Sequence, residues 1–177
     1  MDVMTAIKKR RSVRKFKDRP VDKAPLRRIL EAAVWAPSGG NAQTWRFVVI
    51  TEAEMRKKIK MVSPGLLGGP PAVIVIAQDM SLAREKGGKM GSESLTKMDS
   101  AMAAQNLMLA AFAEGLGTCV IASFHADAVR KLLGLPESIV PQLLISVGEP
   151  DQEPSPPPRA FEQIIWWEVC GGQGIRG

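Results

Sequence analysis

The sequence predicts a single α+β domain, and three observations point there. Its 177 residues are 45% hydrophobic and 24% charged, the balance of an ordinary globular domain large enough to bury a core without disulfides or a structural metal. Residues 72–77, Ala-Val-Ile-Val-Ile-Ala, form an unbroken apolar run that reads as a central strand buried on both faces. Residues 92–114 carry the longest helical pattern. There Leu95, Met98, Met102, Leu109 and Phe112 are set among alanines small enough for close packing, so this helix is expected at the buried centre of the fold.

The other elements follow in chain order. Asp2 is placed to cap a helix reaching Lys9, with Val3, Met4 and Ile7 on one face and Lys8 and Lys9 on the other. That helix delivers Arg10, Arg11, Ser12 and Arg14 to its far end. Three guanidiniums and a hydroxyl can converge on one anion there, and the planar arginine fork suits a phosphate better than lysine does. Taken alone, the run also fits a solvated basic helix end complementing the macrodipole.

Asp22 reads as a second N-cap, with Leu26, Ile29, Leu30, Ala33 and Val34 at helical spacing until Pro37 stops the helix. Residues 37–44 are a loop of small and amide side chains, and 45–51 alternate as a strand. A surface helix is expected over 52–61 and a Gly/Pro connection over 63–71. Residues 81–91, charged and glycine-bearing, are expected to be a mobile segment rather than a packed element. A short strand over 118–121, a turn at 122–124, a brief helix over 127–133 and an apolar strand over 141–147 complete the domain. The proline-rich stretch 151–158 reads as an extended arm, the single domain is expected to span 1–170, and 171–177 is expected to be a disordered tail.

Composition narrows the function classes. The chain has 24 Lys and Arg against 18 Asp and Glu, and much of the +6 excess sits between Lys8 and Arg19, so a local anion site accounts for it. Aromatic residues are only 5% and tyrosine is absent, so the basic residues are not interleaved with stacking platforms as in a nucleic-acid-binding module, the alternative from another class. Cys119 and Cys170 stand far apart with no CxxC or Cys/His spacing, which argues against zinc. The apolar runs stop short of a membrane span and no signal-type opening is present, so a cytoplasmic protein without membrane or nucleic-acid partners is expected.

Four blocks in order give the chain a resemblance to the nitroreductase family of FMN-dependent oxidoreductases. They are Arg10 to Phe16, Ala36 to Phe47, Gln105-Asn106-Leu107 through Gly115-Leu116-Gly117-Thr118, and Val147 to Pro150 followed by Pro158-Arg159. The resemblance implies helices around a mixed or antiparallel central sheet, and an intertwined homodimer with FMN in two sites at the interface. It further implies NADH or NADPH as donor and a small organic acceptor, nitroaromatic or quinone-like, in a ping-pong scheme.

By the same resemblance Arg10, Ser12, Arg14 and Arg159 hold the FMN phosphate, with Arg11 at the phosphate or ribityl chain. Pro37, Ser38, Gly39, Asn41 and Gln43 form the loop beside the flavin at a subunit boundary, and Ile121, Ala122 and Ser123 place backbone groups near N5. The segment 161–169 resembles an arm reaching to the partner subunit. The sequence departs from the family pattern at Thr44, where proline is usual, and at Pro157, where a lysine is frequent. A more specialised flavoprotein of the same fold, a reductive dehalogenase or a flavin-destroying enzyme, is the second reading. Absence of tyrosine leaves the lid set of a tyrosine dehalogenase incomplete. No side chain is expected to be catalytic: His125 is the only histidine and reads as a cap or surface residue, and Cys119 as a small buried apolar residue.

Overall fold

A computed structural model describes residues 1–156 and 164–171. Four strands form one sheet in the order β1-β2-β4-β3, with β1 at Trp45–Ile50, β2 at Ala72–Asp79, β3 at Gly117–Ile121 and β4 at Ile139–Gly148. All three pairings are antiparallel. The central position expected for the apolar run is realised in β2, whose Ala72 to Ala77 are fully buried. Successive residues of β2 serve opposite faces, as the pleat requires. Ala72, Ile74 and Ile76 join Leu26, Ile29 and Leu107 in one core, while Val73 and Val75 join Ile59, Ile121 and Val129 in another. Helices therefore cover both faces: α2 (Lys23–Val34) and α5 (Thr96–Ala113) one, α3 (Ala53–Met61) and α6 (Ala126–Leu132) the other.

β4 begins before the expected residue 141, and Pro141 sits within it opposite Ala77. The register shifts there between Ile76 and Ala77, and such an irregularity is how an interior strand accommodates a residue that cannot donate to the ladder.

The segment 81–91, expected to be unpacked, is helical: α4 runs Met80–Met90. Its start is fixed by Asp79, whose side chain accepts from the Leu82 amide at 3.1 Å, a cap that outweighs the glycines behind it. Gly88 breaks the regular path with φ 58° and ψ −148°, and a π turn, Gly91–Leu95, leads into α5. The long helix thus starts at Thr96, later than expected. Its core face is built from Ala103, Ala104, Leu107, Met108 and Ala111, while Met98 is 59% exposed. Small residues face inward because α5 packs closely on α2, as its alanines suggested.

Helix α1 (Val3–Lys9) is capped by Asp2, which accepts from the Thr5 amide at 3.0 Å. It buries Ala6 and leaves Val3, Met4 and Ile7 exposed in the single chain.

Candidate functional site

Beyond α1 the chain becomes extended and docks on the free edge of β3. Ser12 bridges Thr118 in parallel, and the Val13 amide donates to the Thr118 carbonyl at 2.9 Å. Phe16 bridges Pro150, the Lys17 amide donates to the Glu149 carbonyl at 3.0 Å, and the Asp151 amide donates to the Lys15 carbonyl at 3.0 Å. The Arg10 to Arg14 stretch is therefore held by its backbone between β3 and the exit from β4.

Arg14 is exposed, and its amide donates to Gln152 Oε1 at 3.0 Å. Arg11 folds one nitrogen back onto the helix end, Nη1 donating to the carbonyls of Lys8 at 2.6 Å and Arg10 at 2.7 Å. Its Nε is buried with no hydrogen-bond partner among the described residues. Lys9, Arg10, Arg11, Phe112, Leu116 and one acid, Glu153, help to line a cavity of about 200 Å³. Residues 3–17 contain no Asp or Glu. The nearest following acid, Asp18, lies beyond that run. Glu149 pairs with Lys17 and Arg19, and the Lys17 hydrogen bond holds its carboxyl below the usual range. The donor set fits a phosphate. Arg159 lies outside the described residues.

β3 ends at Ile121, which is buried, and the chain turns through exposed Ala122 and Ser123. His125 is the N-cap residue of α6 and exposed, its amide donating to the Val62 carbonyl at 2.9 Å. Cys119 is buried in β3.

The second group surrounds the loop before β1. Ser38 to Gln43 fold around a short 3-10 turn, Gly39–Asn41, in which Gly40, Asn41 and then Gln43 take positive φ of 56°, 53° and 51°. Two non-glycine residues in the left-handed region are strained and persist only where their surroundings hold them. Three bonds do so. The Gln43 amide donates to Ser38 Oγ at 3.1 Å, Lys86 Nζ from α4 donates to the Ala42 carbonyl at 3.2 Å, and the Gly39 amide donates to Asp99 Oδ1 at 3.1 Å. Asp99, 2% exposed on α5, had no role that the sequence could assign; the chain fold gives it one as the anchor of this loop. Burial raises its carboxyl above the usual range, opposed by the Gly39 hydrogen bond. Gln43 Nε2 donates to Asn41 Oδ1 at 2.7 Å, and Pro37 is exposed at the loop's start.

Thr44, where the resemblance leads one to expect proline, is buried and donates to Gln78 Oε1 at 2.6 Å. Gln78 Nε2 in turn donates to the Thr96 carbonyl at 3.1 Å and Ser100 Oγ at 2.9 Å, tying the loop's end to α5. The hydroxyl does what a proline could not: it gives a fully buried Gln78 a partner.

The two groups stand at opposite edges of the sheet. Asn41 and Gln43 precede β1, the Arg10 to Arg14 stretch rides on β3, and β2 and β4 lie between. Three strand spacings separate those edges, about 14 Å.

Fold and site together define an α+β protein with an arginine-rich stretch built onto one sheet edge and an amide-bearing strained loop entering the other. The chain belongs to the nitroreductase family: the family model, described as "Nitroreductase family", matches residues 7–63 and 57–149. A Methanothermobacter thermautotrophicus protein provisionally named NADH dehydrogenase/NAD(P)H nitroreductase is 34% identical over 160 residues, covering 87% of this chain and 80% of that protein. A Thermus thermophilus protein named NADH dehydrogenase is 30% identical, covering 94% of this chain and 96% of its own. Among solved structures, an FMN-dependent nitroreductase from Clostridium difficile R20291 superposes with a TM-score of 0.82 at 28% identity, covering 95% of this chain and 100% of that one.

Proposed function

We propose that this chain is an FMN-dependent oxidoreductase that takes electrons from NADH or NADPH and delivers them to a small nitroaromatic or quinone-like acceptor by a ping-pong scheme. The observation that carries the reading is the phosphate-type donor set of Arg10, Ser12 and Arg14, pinned by backbone bonds to β3 just upstream of the Ile121 to Ser123 turn. FMN, when bound, would supply the electron-transfer chemistry between the nicotinamide and the acceptor. Arg10, Ser12 and Arg14, with Arg159, hold the phosphate, and Arg11 Nε adds a buried donor at the same end. Backbone groups of Ile121, Ala122 and Ser123 would hold the reactive edge of the ring. Asn41 and Gln43 would bind its donor and acceptor edge with the complementary groups that their mutual bond leaves over, Asn41 Nδ2 and Gln43 Oε1.

Because those amides enter at the opposite sheet edge, the site is shared: one protomer contributes the β3 edge and its partner contributes the loop. Homodimerisation is supported by the apolar side chains exposed in one chain, Val3, Met4 and Ile7 on α1, Trp35 after α2 and Met98 on α5. Among the described residues no helix is long and apolar enough to cross a membrane. The anaerobic test has two stages. NAD(P)H bleaches the flavin absorbance of the purified protein, and an added nitroaromatic or quinone restores it, with parallel double-reciprocal lines in the steady state. A colourless protein that takes up no FMN overturns the reading.

A further inference from the structure

The connection between α3 and β2, residues 63–71, has no role in the reading above, yet it touches both ends of the proposed flavin site. At one end the Gly65 amide donates to the Ser123 carbonyl at 3.0 Å, and Leu66 is buried in the cluster that contains Ile121. A side chain at Gly65 would meet Ile121 Cγ2 at 2.8 Å and the Ser123 carbonyl oxygen at 3.2 Å. At the other end Gly68, with φ 72°, presses its Cα against the Arg14 carbonyl, and a Cβ there would overlap that oxygen. Its neighbour Gly69 also has positive φ, 55°, but open space around it. The two contacts are three residues apart on one short loop, and Pro71 closes it by packing on Gly148 beside Phe16.

We infer that this loop is a strut that sets the distance between the phosphate-holding stretch and the turn at the reactive end of the flavin. Gly65 and Gly68 are its two positioning residues. Neither needs to touch the cofactor. Gly65 locates the 121–123 turn through the Ser123 carbonyl, and Gly68 locates the Arg14 backbone and with it the guanidinium. Glycine is required at both ends because backbone meets backbone or a buried branch there, and at Gly68 also because of its left-handed conformation. The inference rests on the FMN reading and sharpens it: the phosphate end and the ring end are controlled by separate residues.

The test is flavin fluorescence titration of apo wild type, Gly68→Ala, Gly65→Ala and Gly69→Ala with FMN and with riboflavin, which lacks the phosphate. Gly68→Ala is expected to weaken FMN at least tenfold more than riboflavin. Gly65→Ala is expected to weaken both alike by about tenfold, an estimate equal to about 1.4 kcal/mol. Gly69→Ala shares the left-handed strain but not the contact, so it should leave both affinities, and with them the FMN to riboflavin ratio, within about threefold of wild type, under 1 kcal/mol. Should Gly68→Ala not fold, Gly65→Ala against Gly69→Ala still decides. Equal losses in those two variants, or no loss in Gly65→Ala, overturn the strut. A ratio in Gly68→Ala unchanged from wild type does the same. Wild type that binds no flavin overturns the FMN reading instead, so the two failures are distinguishable.

Discussion

At the scale of single residues, binding and chemistry fall to different groups. Arg10→Ala removes a charge-assisted bond worth about 1.5–3 kcal/mol, so FMN affinity should fall about tenfold to a hundredfold while riboflavin affinity stays near wild type. Equal losses for the two ligands would show that Arg10 serves the fold and not the phosphate. His125→Ala and Cys119→Ala should each keep FMN and slow reduction by NAD(P)H less than about tenfold, roughly 1.4 kcal/mol of barrier, in stopped-flow bleaching. His125 stands exposed at the N-cap position of α6 without a side-chain cap bond and Cys119 fills β3, and a thousandfold slower step in either would give that side chain a part in the reaction.

Asp99 makes a prediction about pH. Its carboxyl is raised by burial, so the folded state binds that proton more tightly than the unfolded chain does. The protein therefore loses stability from this group as pH rises from the ordinary carboxylate range through the raised value. Asp99→Asn keeps an oxygen for the Gly39 amide without the buried charge. Its melting temperature should gain on wild type between pH 4 and pH 7.5, and a gap that shrinks over that range would contradict the assignment. The anchor itself was not legible in the sequence. An aspartate on a helix gives no sign that it will accept from a backbone amide 60 positions earlier.

At the scale of elements, apolar pattern and capping were the readable signals. The run from Ala72 to Ala77 declared a strand buried on both faces because only such a strand needs no polar side, and β2 is that strand. Asp2 was readable as a cap. Residues 81–91 differ from expectation because the Asp79 cap that sets where α4 begins outweighs the helix-breaking tendency of the glycines behind it. The α5 core face was half legible: its alanines indicated tight packing, while outward Met98 follows from an unpaired face that no single-chain pattern reveals. The Gln78 bracket was invisible, being a polar side chain at the end of an apolar strand whose partners sit on β1's entry and on α5. Gln78→Leu leaves the buried Thr44 hydroxyl without its acceptor. It should cost about 1–3 kcal/mol in urea unfolding, with Thr44→Val adding little on top. Two fully additive losses would mean that the pair does not act as one bracket.

At the scale of the whole molecule, sheet order is what turns a list of site residues into a claim about assembly. The four sequence blocks named the residues but not their edges. Only the order β1-β2-β4-β3 shows that Asn41 and Gln43 enter opposite to Arg10 and Arg14. The shared site proposed above follows if the two groups come from two copies, related so that each pair of edges meets twice. Subunit complementation tests this most directly. A chain carrying Arg10→Ala with Arg14→Ala and a chain carrying Asn41→Ala with Gln43→Ala should each be weak in FMN binding and activity alone. Unfolded and refolded together, they should form mixed dimers in which one site is wholly wild type and the other carries every change. Random pairing then restores about a quarter of wild-type activity per chain. A mixture no more active than its separate components would place both groups in one chain and contradict the shared site.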